Sequence, residues 1–463
     1  MEFKPITNFD LFDIVLNGDP EELKALDLVK LQGWVRTNRD NGSIGFIEFN
    51  DGTYFKNVQL VYTNECKCHD VVSKLKTGSA ITVCGKVKIT PENKQPFEIE
   101  VMECVLEGDV ADDYPLQKKR HSFEFLREIA HIRPRANTFQ AVFRVRNALS
   151  MAIHEFFQQR GFIYVHTPLI TTNDGEGAGN VFDVTTHDTK DPYAFYGRKV
   201  NLTVTGQLHV EPFALSFRDV YTFGPAFRAE HSNTVRHASE FWMVEPEMAF
   251  ADLNDNMDVI EDCVKFCIEY VERACPEEME FFNSMIDQTL KERLHHVLNS
   301  EFKRMSYTEG VELLQKAVQN GHKFENNNIF WGMDLQSEHE RYLTEEVVKG
   351  PLFLTDYPKE IKAFYMRQND DGKTVAACDL LVPAVGELVG GSQREERYEI
   401  LKKKMEELGN DKELDWYLDT RRYGGCYHSG FGIGFDRLLM YVTGMQNIRD
   451  VQPYPRTFNN IKY

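Results

Sequence analysis

From residue 28 to about residue 108 the chain is written in runs that alternate apolar and polar side chains: VKLQGWVRTNRD, GFIEFNDG, NVQLVYT, ITVCGKVKIT and FEIEVMECVLEG. Period-two alternation broken by Gly, Asn, Asp and Pro is the pattern of half-buried strands. Five strands at this spacing predict a small closed barrel of the OB type. Residues 138–160 change to apolar positions three and four apart, the spacing of an amphipathic helix. The same spacing returns in NMDVIEDCVKFCIEYV and FKRMSYTEGVELLQKAV, which predicts a helical segment over residues 252–327. Strand-like text flanks it on both sides. The expected fold is therefore α+β. An N-terminal five-stranded OB-fold β-barrel with a short extension covers residues 1–110, and a hinge covers residues 111–136. A second domain over residues 137–463 is built on an antiparallel β-sheet flanked by helices, with the helical segment inserted.

The densest chemistry lies in residues 223–250, FGPAFRAEHSNTVRHASEFWMVEPEMAF, which set two arginines, two histidines and four glutamates in an apolar frame. The pattern predicts a strand over residues 221–230, a polar loop over residues 231–238 and a returning strand over residues 240–249. Alternation puts Arg228 and Glu230 on one face of the first strand, and Phe241, Met243, Glu245 and Glu247 on one face of the second. A sheet face carrying a guanidinium, carboxylates and an aromatic ring suits an anionic, planar, metal-bound ligand such as a nucleoside triphosphate. A solvated hairpin with surface ion pairs is the simpler account of the same residues. Further along, CDLLVPAVGELVGGSQREER places Asp379 and Glu387 before a Gly-Gly bend and then Arg394. Paired glycines serve either a plain turn or a close approach of backbone to ligand.

Charge narrows the partners. A formal net charge of −19 argues against a protein that coats polyanions, so any nucleic acid must be held by local basic patches. The hinge offers one in Lys118, Lys119, Arg120, Arg127, Arg133 and Arg135, which equally suit a solvated face. Nine cysteines are scattered singly apart from Cys66, Cys68 and Cys263, Cys267. Neither pair has the second half of a zinc site, and reduced thiols in a cytoplasmic protein are the expectation. The N-terminal residues carry early acids and no apolar core of signal-peptide length. No stretch approaches a membrane span.

The hairpin resembles motif 2 of the class II aminoacyl-tRNA synthetases, FRxE followed by a loop and (R/H)xxxF. Residues 430–456, GFGIGFDRLLMYVTGMQNIRDVQPYPR, resemble motif 3, and GFIYVHTP at residues 161–168 resembles motif 1, which builds the family's dimer interface. All three occur in order. GWVRTNRDNGSIGFIEFND and NVQLV resemble the anticodon-binding domain of the aspartyl/asparaginyl/lysyl subgroup. The resemblance implies a homodimeric ligase that activates an amino acid with ATP and Mg²⁺ and passes it to tRNA, with residues 1–110 binding the anticodon through Phe46 and Gln59. A core role for Phe46 is the alternative.

Family roles carry over position by position. Arg228 is expected at the α-phosphate, Glu230 at the adenine amino edge and Phe241 under the ring. His237 and Arg437 are expected at the outer phosphates, with Arg437 closing on adenine opposite Phe241, and Asp379 and Glu387 at the metal. Gly390 stands where close relatives have a serine. TDYPKEIKAFYMR, GGSQRE and DGEGAG resemble the asparaginyl branch. An asparagine pocket requires a cation for the side-chain carbonyl and an anion for its NH₂, and by resemblance Arg394 and Glu245 hold those positions. Glu176 and Gln207 would hold the α-ammonium. Aspartyl enzymes carry a lysine where this chain has Val210, and the missing cation favours L-asparagine and tRNA(Asn) as substrates. An aspartyl enzyme of relaxed specificity, an ammonia-dependent asparagine synthetase and a non-catalytic RNA-binding derivative are the alternatives. The synthetase would not need the barrel, and the derivative would not need Arg228 and Arg437.

Overall fold

The computed structural model describes residues 2–463 apart from residues 94, 174, 176–179, 187–190, 192 and 411. It forms two compact units, residues 1–140 and 141–463.

The first unit contains the predicted barrel. Strands β1 (Leu28–Asp40), β2 (Ile44–Asn50), β3 (Val58–Thr63), β4 (Ala80–Ile89) and β5 (Phe97–Gly108) pair in the order β1-β2-β3-β5-β4 and close through β1 with β4. All pairings are antiparallel except β3 with β5. Closure leaves no free sheet edge among these strands. Inward positions such as Leu31, Val35, Ile47, Phe49, Leu60, Val83 and Ile99 fill the interior, and Leu11 and Phe12 of the helix Asn8–Asn17 join them.

The second unit opens within the helix α1 (Asn137–Gln159), whose Val142, Val145, Leu149, Ile153, Phe156 and Phe157 recur at helical spacing and are buried. Gly161 ends it in the left-handed region at φ +79°. Its N–H bonds Gln158 O at 3.1 Å and that of Phe162 bonds Phe157 O at 3.0 Å, the paired closure that suits glycine. Beyond it lies an eight-stranded sheet in the order Lys303–Ser306, Leu352–Pro358, Thr374–Val382, Gly386–Gln393, His428–Gly434, Glu240–Ala249, Asp219–Phe227, Ile163–Tyr164. The central pairings are antiparallel, and the outermost strand on each side pairs parallel to its neighbour.

Two expectations change. The first hairpin strand ends at Phe227 rather than at residue 230, because the N–H of Ala229 leaves the ladder for Asn180 O at 2.9 Å. The segment 252–327 is not wholly helical. Its helices Leu253–Ala274, Pro276–Met285, Leu290–Asn299 and Tyr307–Gln319 are interrupted by the strand Lys303–Ser306, which extends the sheet beside Leu352–Pro358. Four residues are too few for period-two alternation to stand out against helical neighbours. Among the described residues no helix is long and apolar enough to cross a membrane, and the nine cysteines are free thiols.

A partly buried ion pair ties the sheet to its helices. Arg146 of α1 donates to Asp436 Oδ1 at 2.5 Å and to Val451 O at 3.0 Å, and the N–H of Trp242 donates to Asp436 Oδ2 at 3.0 Å. Asp436 is 1% exposed. Arg146→Ala leaves that carboxylate buried without its cation and is expected to lower unfolding free energy by about 3 kcal/mol. Guanidinium denaturation with unchanged slope measures this, and a loss below about 1 kcal/mol contradicts it.

Candidate active site

Two adjoining clefts open on one face of the sheet, and they share Arg228, Met243, Glu387 and Gly432. The register explains their floor. Thr222 pairs with Glu245, Asp379 pairs with Gly390, and Gly390 pairs with Gly432, so one row across the sheet carries carboxylates separated by glycines. A Cβ on Gly432 would meet Met243 Cε at 2.9 Å, so the bare backbone there keeps the floor open.

The first cleft collects Arg228, Glu230, His237, Phe241, Glu387 and Arg437. The Arg228 guanidinium lies 5.4 Å from the centre of the Phe241 ring, a cation–π distance. His237 bonds Thr234 Oγ1 within the exposed loop. Arg437 donates to Glu387 O at 3.1 Å and lies 3.8 Å from Glu387 Oε2. Thus Arg228 is the cation over Phe241, while Arg437 is directed to Glu387. Arg236, which the motif match passes over, lines the same cleft and donates to Ser337 Oγ at 3.0 Å.

The second cleft collects Gln207, Glu245, Asp379, Glu387 and Arg394. Glu245 accepts the Thr205 hydroxyl on Oε1 and the N–H of Gly206 on Oε2 at 2.8 Å. Those donors hold it as an acceptor. Arg394, 3% exposed, makes a two-pronged contact with the fully buried Glu247 and donates to Ser392 Oγ at 2.7 Å. Burial alone would discourage its charge, and Glu247 more than restores it, so the guanidinium is held charged. Arg394 therefore enters the cleft as a neutralised pair. The signal for its partner was present, since Glu245 and Glu247 alternate onto one face. Val210 packs with Val165, Ala214 and Val220 rather than lining the cleft. Glu176 lies outside the described residues.

Asp379 and Glu387 converge over Gly390. A Cβ there would lie 3.4 Å from Asp379 Oδ1 and 3.3 Å from Glu387 Oε1, so the two oxygens face one small space. Two residues unmarked in the sequence brace them. Lys362 donates to Asp379 Oδ2 at 2.6 Å, and Glu340 Oε2 accepts the N–H of Glu387 at 3.0 Å. Desolvation, then the charge of Asp379, pushes the Glu387 carboxyl above its ordinary range. Such carboxylate donors fit a hard divalent cation.

On the barrel, Glu48 pairs with Gln59, and Phe46 stands two residues before Glu48 on the same outward face. Phe46 is half-buried and absent from the barrel core. Gln59 Nε2 is 3.5 Å from Glu98 Oε2 and lines a groove with Glu48, Lys56 and Glu98; Phe46 lies outside that groove.

A closed barrel followed by a glycine-floored antiparallel sheet with these clefts defines a class of ligases. Residues 123–458 match the family model described as tRNA synthetases class II (D, K and N), and residues 29–106 match the OB-fold nucleic acid binding domain. The chain belongs to the class II tRNA synthetases of the D, K and N group, on the asparagine–tRNA ligase branch. It is 58% identical over 447 residues to the asparagine–tRNA ligase of Clostridium acetobutylicum, covering 94% of this chain and 96% of that one. It is 59% identical over 441 residues to that of Clostridium novyi, covering 93% and 94%. The structure of asparaginyl-tRNA synthetase from Pyrococcus horikoshii complexed with asparaginyl-adenylate superposes with a TM-score of 0.84 at 33% identity, covering 94% of this chain and 97% of that chain.

Burial, then the charges of Glu387 and Asp379, raises the Glu340 carboxyl from 4.5 to about 7. The folded protein thus holds a proton that the unfolded chain releases between those values. Glu340 therefore costs stability progressively as pH rises from about 4.5 to about 7. In chelator, Glu340→Gln is expected to gain on the parent by up to about 3 kcal/mol across that window. Unfolding titrations of both proteins at pH 4.5 and 8 measure the gain, and a pH-independent difference contradicts it.

Proposed function

We propose that the chain activates L-asparagine with ATP to asparaginyl-adenylate and pyrophosphate, then transfers the asparaginyl group to the 3′ end of tRNA(Asn). Glu245 carries the reading: it is an acceptor fixed by Thr205 and Gly206, in one cleft with Arg394. The asparagine side chain has one acceptor and one N–H donor group. Arg394 gives to its carbonyl, and Glu245 takes from its NH₂. Aspartate in the same pose would set its carboxylate against Glu245. Polar readout of this kind discriminates by roughly 10⁴ or more.

In the first step an oxygen of the α-carboxylate attacks the α-phosphorus and the bond to the bridging oxygen breaks, releasing pyrophosphate. Arg228, shared by both clefts, binds the reacting carboxylate and an α-phosphate oxygen, which aligns them and offsets growing charge. Phe241 stacks on adenine and Glu230 accepts from its amino group. His237 and Arg437 meet the outer phosphates. Glu176 and Gln207 hold the α-ammonium, and the Gln207 Oε1 atom is buried with no hydrogen-bond partner among the described residues. Asp379 and Glu387 are the residues that would hold Mg²⁺. When bound, the ion neutralises phosphate charge. In the second step a ribose hydroxyl of tRNA attacks the activated carbonyl and AMP leaves. No covalent enzyme intermediate is required.

Residues 1–110 bind the anticodon, with Phe46 stacking on a base and Gln59 reading an edge. Residues 111–136 act as the hinge to the catalytic domain of residues 137–463. The exposed apolar side chains Met151, Ile163, Leu169 and Ile170 of the motif 1 region support a homodimer, and a cytoplasmic location suits the free thiols.

Glu245→Gln replaces the carboxylate with an amide that still accepts from Gly206 yet no longer matches the substrate NH₂. It is expected to lower kcat/KM for asparagine in ATP–pyrophosphate exchange about 100-fold, with the KM for ATP within about 3-fold. Unchanged asparagine kinetics remove Glu245 from the pocket.

A further inference from the structure

Behind the second cleft lies a polar cluster of which the steps above use only Gln207. Gln207 and Glu211 stand one turn apart on the helix Gln207–Phe217 and are 4% and 0% exposed. Glu211 is encircled by donors. Gln207 Nε2 and the Tyr417 hydroxyl, the latter at 2.6 Å, reach Oε2, while Arg421 Nη2 at 2.5 Å and His428 Nε2 at 2.7 Å reach Oε1. Despite complete burial, Arg421 and then His428 hold the Glu211 carboxyl far below its ordinary range. An ionised carboxylate has no proton to give, so only the NH₂ end of the Gln207 amide can face it. The opposite end, Oε1, is then directed away from Glu211. That atom is buried, has no hydrogen-bond partner among the described residues, and belongs to a side chain lining the cleft.

We propose that Glu211 is a positioning residue that locks the flip of the Gln207 amide, so that Gln207 presents an acceptor and never a donor to the α-ammonium of the amino acid. The inference rests on the reading of Gln207 as an ammonium ligand. A reversed amide would turn its NH₂ towards a cation and set its carbonyl against Glu211, leaving two acceptors facing each other. The cluster draws on three elements, since Tyr417 and Arg421 lie on the helix Asp415–Arg422 and His428 opens the strand His428–Gly434. Amine recognition is thereby tied to residues more than 200 positions away in the chain.

The test separates amine recognition from general damage by comparing L-asparagine with succinamic acid, its analogue lacking the amine, as an inhibitor of ATP–pyrophosphate exchange. Gln207→Ala is expected to raise the KM for asparagine about 10-fold or more while leaving the Ki of succinamic acid within about 2-fold. Glu211→Gln should reproduce that split, because an amide at 211 accommodates either orientation of Gln207. Adding Gln207→Glu to Glu211→Gln should bring the KM back to within about 3-fold of the parent, since a carboxylate accepts whichever way it turns. Glu211→Asp keeps the charge facing Arg421 and His428 while withdrawing it from Gln207. It should show the same selective loss, which guards against a Glu211→Gln protein that does not fold. If the Glu211 variants weaken asparagine and succinamic acid equally, or neither, the lock is refuted while Gln207 keeps its role. If Gln207→Ala itself shows no selective loss, the ammonium reading falls and the lock with it.

Discussion

Charged groups removed from water have to be matched, and the catalytic unit is arranged around two such matches beneath its cleft. Arg394 against Glu247 and Glu211 against Arg421 and His428 are nearly or fully buried, so loss of one partner would strand a charge in a low-dielectric interior. Each match also requires strands or helices distant in sequence to arrive in one register. Arg394 follows the strand Gly386–Gln393, whereas Glu247 lies on Glu240–Ala249, and His428–Gly434 runs between them. The sheet order is thus coupled to the electrostatics of the site it supports.

In the proposed reading this coupling gives the pocket its selectivity. An isolated arginine would attract any carboxylate, aspartate included. Neutralised by Glu247, Arg394 offers directed N–H groups with less net pull on a second negative charge. Glu245, held by a hydroxyl and a backbone N–H, supplies the complementary acceptor. Position 206 suits that duty, because glycine retains a backbone N–H and no side chain crowds Glu245. The glycine row of 390 and 432 then lets ligand approach the backbone between the carboxylates.

Local pattern made much of this legible. The returning strand Glu240–Ala249 has the limits its alternation predicts, and the five barrel strands fall within about two residues of the runs of alternating text. Arg228, Glu230, His237, Phe241 and Arg437 were picked out by motif and meet in one cleft. What stayed hidden depends on long-range pairing. Glu340 is 47 positions from Glu387, and Lys362 is 17 from Asp379, so no periodicity links them. Glu211 reads locally as one more polar residue on a helix, and its four donors become visible only when Tyr417, Arg421 and His428 are brought beside it.

The most direct test of the account is ATP–pyrophosphate exchange without tRNA, with asparagine and aspartate compared at matched concentrations. The paired Arg394 and the fixed acceptor Glu245 predict robust exchange with asparagine and, for aspartate, a kcat/KM lower by roughly 10⁴. Exchange that is equal for the two, or greater with aspartate, would contradict the assignment of these residues while leaving the fold intact.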